Sequence, residues 1–153
     1  FNMFWKIKEW NVKQNLIVYG KLYNIKNLNE RINFLSEKLR LEDLLDKITG
    51  ELSSGQKNRV SLAKALINDP TVLLLDEPTA ALDPETADFI RTFLEKYKEE
   101  KKISVLLASH NMDEVKRLCN SVMMMKDGNI VDGGTPEDLI EKYGQKNLEE
   151  VFL

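Results

Sequence analysis

Two continuous apolar runs, Val72-Leu73-Leu74-Leu75 and Val105-Leu106-Leu107-Ala108, constrain this chain more than any other feature. Short uninterrupted runs of this kind predict strands buried on both faces. Between them, from Pro84 to Lys102, Phe89, Ile90, Phe93, Leu94 and Tyr97 recur at helical spacing. Strand, helix, strand predicts a parallel crossover unit and so an α/β sheet.

The segment from about Asn11 to Lys47 is mostly helical by pattern, with Leu16, Tyr19 and Tyr23 on one face and Ile32, Leu35 and Leu39 on another. After the second strand, a helix from Met112 to Cys119 turns Met112, Val115, Leu118 and Cys119 inward. Val122-Met123-Met124-Met125 follows. Consecutive methionines alternate between faces, so they predict a strand rather than a soft metal site. Asp127-Gly128 predicts a hairpin turn, and Thr135-Pro136-Glu137-Asp138 opens a last helix that Gly144 stops.

With 153 residues, 42% of them hydrophobic, the chain can bury the core of one domain. Its net charge is -3 and its basic residues are interleaved with acidic ones, which argues against nucleic acid as a partner. Cys119 is the only cysteine, so no internal disulfide forms, and it reads as a small core residue. No apolar run approaches the roughly 18 residues of a membrane span. The aromatic start, with Phe4, Trp5 and Trp10, and the apolar Val151-Phe152-Leu153 end lead to the expectation of a piece cut from something larger.

Three places carry chemistry. Leu52-Ser53-Ser54-Gly55-Gln56 precedes a helix with Val60, Ala63, Leu66 and Ile67 on its apolar face. Ser53 to Gln56 fits a capping box, an ordinary helix start, yet small residues there also leave free N–H groups open to phosphate. Asp76-Glu77 stands where a buried strand runs out, the end at which open α/β sheets bind ligands. One such carboxylate can hold Mg²⁺ through water while its neighbour orients or deprotonates the water that attacks phosphorus. The plainer alternative is a pair of loop acids capping a neighbouring helix. Asp83-Pro84 is an ordinary capped helix start. His110, the single histidine, follows Ser109 just past the second strand, and a parallel pair would open it onto the same edge as Asp76 and Glu77.

Leu52-Ser53-Ser54-Gly55-Gln56 resembles the signature motif of ABC-type ATPases, with Ser54 where glycine is commonest. Leu73 to Pro78 resembles their Walker B strand, Ala80-Ala81-Leu82-Asp83 their D-loop, and Ser109-His110 their H-loop. Four motifs in family order make the resemblance specific, and Trp10 to Leu16 is similar to the stretch that follows the family's Q-loop. The closing segments Gly134 to Leu139 and Leu148 to Leu153 most resemble ABC-2 type exporters. The resemblance implies a P-loop NTPase-like parallel sheet with an inserted helical subdomain, incomplete at the N-terminus. Residues 1–68 would form the helical subdomain with the signature, and residues 69–153 the rest of the ATPase core.

It further implies ATP and Mg²⁺ as ligands. Asp76 would bind the metal through water, Glu77 would act as the base and His110 would contact the γ-phosphate. Ser53, Ser54, Gly55 and Gln56 would meet the ATP of an opposite subunit in a head-to-tail dimer, with Asp83 at that interface. A transmembrane permease would dock beside the aromatic start, at the cytoplasmic face of a membrane. The departure from the family is plain: no Gly-x₄-Gly-Lys-Ser/Thr loop occurs, since Gly20-Lys21 has Asn15 for the first glycine and Leu22 for the hydroxyl. The chain alone is therefore expected to be inactive, with a gapped or rearranged sheet. Two other readings are a soluble ABC ATPase acting on DNA or ribosomes, disfavoured by the acidic balance and the absence of a long coiled coil, and a non-catalytic dimerising module.

Overall fold

In the computed structural model of the protein, residues 9–152 are described. Asn11 opens α1 (Val12–Leu22) with a reciprocal cap, its side chain accepting the Gln14 N–H while the Gln14 side chain accepts the Asn11 N–H. α2 (Leu28–Lys38) packs against α1, and 3₁₀ turns at Glu42–Leu44 and Thr49–Glu51 lead into α3 (Ser54–Leu66). Leu16, Ile32, Leu35, Leu39, Val60, Ala63, Leu66 and Ile67 are all buried in one core, as their spacing predicts. Tyr23 is the exception. It caps the C-terminus of α1, where helical periodicity has ended, and it is exposed. Trp10 is half-buried, with its carbonyl accepting the Thr49 N–H; Phe4 and Trp5 lie outside the described residues.

β1 (Val72–Asp76) and β2 (Ser104–Ala108) pair in parallel, Val72 opposite Ser104 and Asp76 opposite Ala108. The crossover is α4 (Pro84–Lys101), started by Asp83 with Pro84 at the first turn and closed at Lys102, which is left-handed. The expectation of burial on both faces is corrected. Leu73 and Leu75 face the core shared with Leu66, Ile90 and Leu94, whereas Val72, Leu74 and Leu106 are 58%, 69% and 56% exposed. Successive side chains alternate, and among the described residues no layer covers that second face.

α5 (Met112–Leu118) leads to a hairpin of β3 (Val122–Lys126) and β4 (Asn129–Gly134), turned by Asp127 and Gly128, both at positive φ. Met123 and Met125 point outward and Met124 inward, the alternation expected of a strand. α6 (Pro136–Tyr143) and α7 (Leu148–Val151) close a second core around Val115, Val122, Leu139 and Leu148. Leu107 and half-buried Cys119 touch both cores, and burial pushes the Cys119 thiol up. The sheet is divided as expected: β1–β2 and β3–β4 are separate two-stranded sheets, and a groove of about 760 Å³ lies between β2 and β3.

Two ties hold α2, α3 and α4 in place. Arg31 on α2 donates to the Ile67 carbonyl at 3.3 Å and the Tyr97 hydroxyl at 3.1 Å and pairs with Asp69 at 3.0 Å. Tyr97 in turn donates to Asp69 at 2.7 Å, and burial pushes its pKa up to about 12. The second tie joins α3 to the turn before α4. Asn58 Nδ2 donates to the Ala80 carbonyl at 2.7 Å, and a Cβ on Gly55 would lie 2.7 Å from the Ala81 carbonyl oxygen. Only glycine fits there without displacement.

Gly55→Ala is therefore expected to destabilise the fold by about 1–3 kcal/mol, the usual range for forcing a group into a packed contact. Ser54→Ala, one exposed residue away, should shift urea unfolding by less than about 0.5 kcal/mol. Equal midpoints for the two variants would show that the turn yields freely. On β4, Asp132 accepts from Lys142 at 2.7 Å and from the Tyr143 hydroxyl at 2.7 Å, and the Lys142 bond foremost lowers its pKa to about 2. Its folded pKa lies below the ordinary ~3.9, so this tie contributes stability above about pH 4 and loses it as pH falls towards 2. Asp132→Asn should remove that acid-dependent part of the unfolding curve while leaving the curve's shape above pH 5 unchanged.

Candidate active site at the carboxyl edge of the parallel pair

The parallel ladder runs one hydrogen bond past the strands, because the Glu77 N–H donates to the Ala108 carbonyl at 2.9 Å. Asp76-Glu77 and Ser109-His110 therefore leave the sheet side by side, the edge predicted from sequence. Glu77 Oε1 accepts the backbone N–H of His110 at 3.0 Å and lies 2.5 Å from His110 Nδ1. With Glu77 ionised, Nδ1 must carry the proton of that contact, which leaves Nε2 on the outward side of the ring. The His110 side chain is 83% exposed. Glu77 is held at φ +46°, a left-handed conformation rare outside glycine and asparagine.

The loop that carries His110 is braced from beneath. Ser109 Oγ donates to Glu114 Oε2 at 2.7 Å and accepts the Asn111 N–H at 3.1 Å, while Asn111 Oδ1 caps α5 through the Glu114 N–H. Glu114 is only 1% exposed, and its Oε1 has no hydrogen-bond partner among the described residues. Sequence reasoning missed this brace, since nothing in the spacing of Ser109 and Glu114 separates it from an ordinary helix start.

The start of α3 is the capping box that its sequence spells. Ser53 Oγ accepts the Gln56 N–H at 3.3 Å, and Gln56 Oε1 accepts the Ser53 N–H at 3.0 Å. Ser53 and Ser54 are exposed, and Gly55 is buried against Ala81 and Leu82. Asp83 caps α4, its Oδ1 accepting the Thr86 N–H at 2.9 Å, and that bond holds its carboxyl below the usual range. Glu77 and His110 are thus in contact, with Asp76 next to Glu77 in the chain, and Gly55 and Asp83 flank the turn beside them. Among the described residues no hydrogen bond joins Ser53 or Ser54 to Glu77 or His110. A small cavity of about 140 Å³ separates Asp76 and Glu77 from Asn58 and Ser61 on α3.

No group of three or more His, Cys, Asp and Glu side chains suited to a metal occurs among the described residues. Asp76 is a single exposed carboxylate with Glu77 beside it. Magnesium keeps most of its waters and needs only one or two carboxylates when substrate phosphates complete its shell, so this donor set fits Mg²⁺ arriving with a nucleotide.

The chain matches the ABC transporter family over residues 4–80. It is 36% identical over 143 residues to the ABC transporter ATP-binding protein NatA of Bacillus subtilis, covering 92% of this chain and 58% of that protein. It is 37% identical to the Nod factor export ATP-binding protein I of Rhizobium sp., covering 95% and 48% of the two chains. It is likewise 37% identical to the methionine import ATP-binding protein MetN of Latilactobacillus sakei, with 92% and 41% covered. The chain thus spans about half the length of the curated relatives it matches. Its fold superposes on the solved ATP-binding subunit of an ABC transporter with a TM-score of 0.79 at 24% identity, over 95% of this chain and 62% of that one. A dimeric ATP-binding cassette in a post-hydrolysis state, bound to ADP and Pi, gives 0.67 at 28% identity, with 72% and 48% covered. Family match, identities and fold agree: the chain belongs to the ABC transporter family and has an α/β P-loop NTPase-like architecture.

Proposed function

We propose that this chain supplies the hydrolytic edge of an ATPase subunit that energises transport through a membrane permease. The observation that carries the reading is the Glu77–His110 contact at the shared carboxyl edge of β1 and β2. Glu77 takes the proton of a water whose oxygen bonds to the γ-phosphorus as the bond to the bridging oxygen breaks, giving ADP and phosphate. His110 holds Glu77 through Nδ1, beside the place the γ-phosphate would take. Asp76 would hold Mg²⁺ through water, and the ion when bound neutralises charge building on the phosphates.

Ser53, Ser54, Gly55 and Gln56 would meet the ATP of a second subunit in a head-to-tail dimer, with Asp83 at the interface. The exposure of Ser53 and Ser54 supports this, as does the dimeric state of a solved relative bound to ADP and Pi. Relatives named for import and for export both match, so the direction of transport is left to the permease. No helix among the described residues is long and apolar enough to cross a membrane, in keeping with attachment to a permease at the cytoplasmic face.

The same reading makes the chain a fragment of its parent subunit. The groove between β2 and β3 and the uncovered Val72, Leu74 and Leu106 face support further strands and a further layer, which would bring the phosphate-gripping loop. In a complete subunit, Glu77→Gln should retain ATP binding and lower turnover by about 10²–10⁴, because the amide orients water but takes no proton. Steady-state hydrolysis by that variant at the parent rate would remove Glu77 from the role of base. The chain as it stands, without a Gly-Lys-Ser/Thr loop, should show neither hydrolysis nor micromolar ATP binding in titration calorimetry. A micromolar dissociation constant for the monomer would mean that this edge alone grips nucleotide.

A further inference from the structure

A second cavity, of about 470 Å³, lies on the far side of the turn that follows Glu77, between that turn, the first two turns of α4 and the His110 loop. Its wall includes Glu77, Ala81, Ala87, Arg91, His110 and Asn111. Pro84, Ala87 and Arg91 recur along one face of α4, so the helix delivers the Arg91 guanidinium into the wall next to the hydrolytic pair.

Arg91 has no hydrogen-bond or ion-pair partner among the described residues, and its Nε is fully buried. The reason lies on its own helix. The acids three residues before and four residues after it, Asp88 and Glu95, are its natural partners, yet both are taken by Arg117 of α5, at 2.7 and 3.1 Å. Glu77, the one acid in the wall, turns its Oε1 to the His110 N–H and ring and makes no ion pair with Arg91. The Asn111 oxygen is spent on capping α5, which turns its amide N–H₂ free to donate. A half-buried cation whose Nε is enclosed and whose helical partners are taken, beside a free amide donor in an open cavity, is the arrangement that a small oxyanion satisfies.

We propose that this cavity is a binding site for a tetrahedral oxyanion, held by the Arg91 guanidinium with the Asn111 amide as a second donor. Its wall shares Glu77 and His110 with that edge, which makes inorganic phosphate, the product released there, its occupant. Naming phosphate rests on the hydrolytic reading above; the preference for an oxyanion rests on Arg91 and Asn111.

The test is titration of inorganic phosphate into the nucleotide-free 153-residue chain, followed by backbone amide shifts. Saturable shifts are expected at Ala81, Leu82, His110 and Asn111. Arg91→Met keeps much of the aliphatic stem and should weaken binding at least tenfold, the loss typical of a charge-assisted hydrogen bond. Arg91→Lys keeps the charge and should lie between Met and the parent, while Lys96→Met, further along α4, should bind as the parent does. Parent-like affinity in Arg91→Met, or parent shifts confined to Ser53–Gln56, would overturn the proposal. Because no nucleotide is present, loss of phosphate binding leaves the ATPase reading standing. Equally, failure of the Glu77→Gln test leaves an Arg91 oxyanion site intact.

Discussion

The candidate site depends on the parallel register of β1 against β2. Parallel pairing puts the two strand ends on one side, and the extra bond from Glu77 N–H to the Ala108 carbonyl carries the alignment past the strands into both loops. A slip of one residue would send Leu73 and Leu75 to the open face and carry Glu77 away from His110. Register is in turn set by burial: Leu73 and Leu75 lock into the core with Ile90 and Leu94. Packing energy on one face of a two-stranded sheet thus becomes a 2.5 Å contact at its edge.

Around that edge, rigidity comes from polar ties of modest individual worth. Ser109 and Glu114 fix the His110 loop, Asn58 clamps the turn after Glu77, and Gly55 lets α3 press against the same turn. The signature glycine therefore has work to do inside its own chain. Its need for close approach is met by the Ala81 carbonyl before any nucleotide is considered. Motif residues that look like ligand contacts can be selected by internal packing as well.

Much of this was legible in the sequence, because its strongest signals are local. The capping box at Ser53, the capped helix start at Thr135, the turn at Asp127-Gly128 and the crossover unit all follow from chemistry within a few residues. The shared edge of Asp76, Glu77 and His110 followed from parallel pairing alone. What the sequence hid was tertiary. Whether Val72, Leu74 and Leu106 are covered depends on what packs above them, and an apolar run cannot report that. Asn58 and Glu114 take their roles from partners on other elements, and no periodicity marks them.

The backbone at Glu77 sets stability and chemistry against each other. Its φ of +46° is a conformation that glycine adopts freely and glutamate adopts at a cost of about 1–2 kcal/mol. A chain selected only for folding would place glycine there, so glutamate at this position records selection for something other than stability. Replacement by glycine would relieve that backbone cost while giving up both contacts to His110. The family's shape does not need the Glu77 carboxylate for its backbone, so fold and proposed base are separable at this one position.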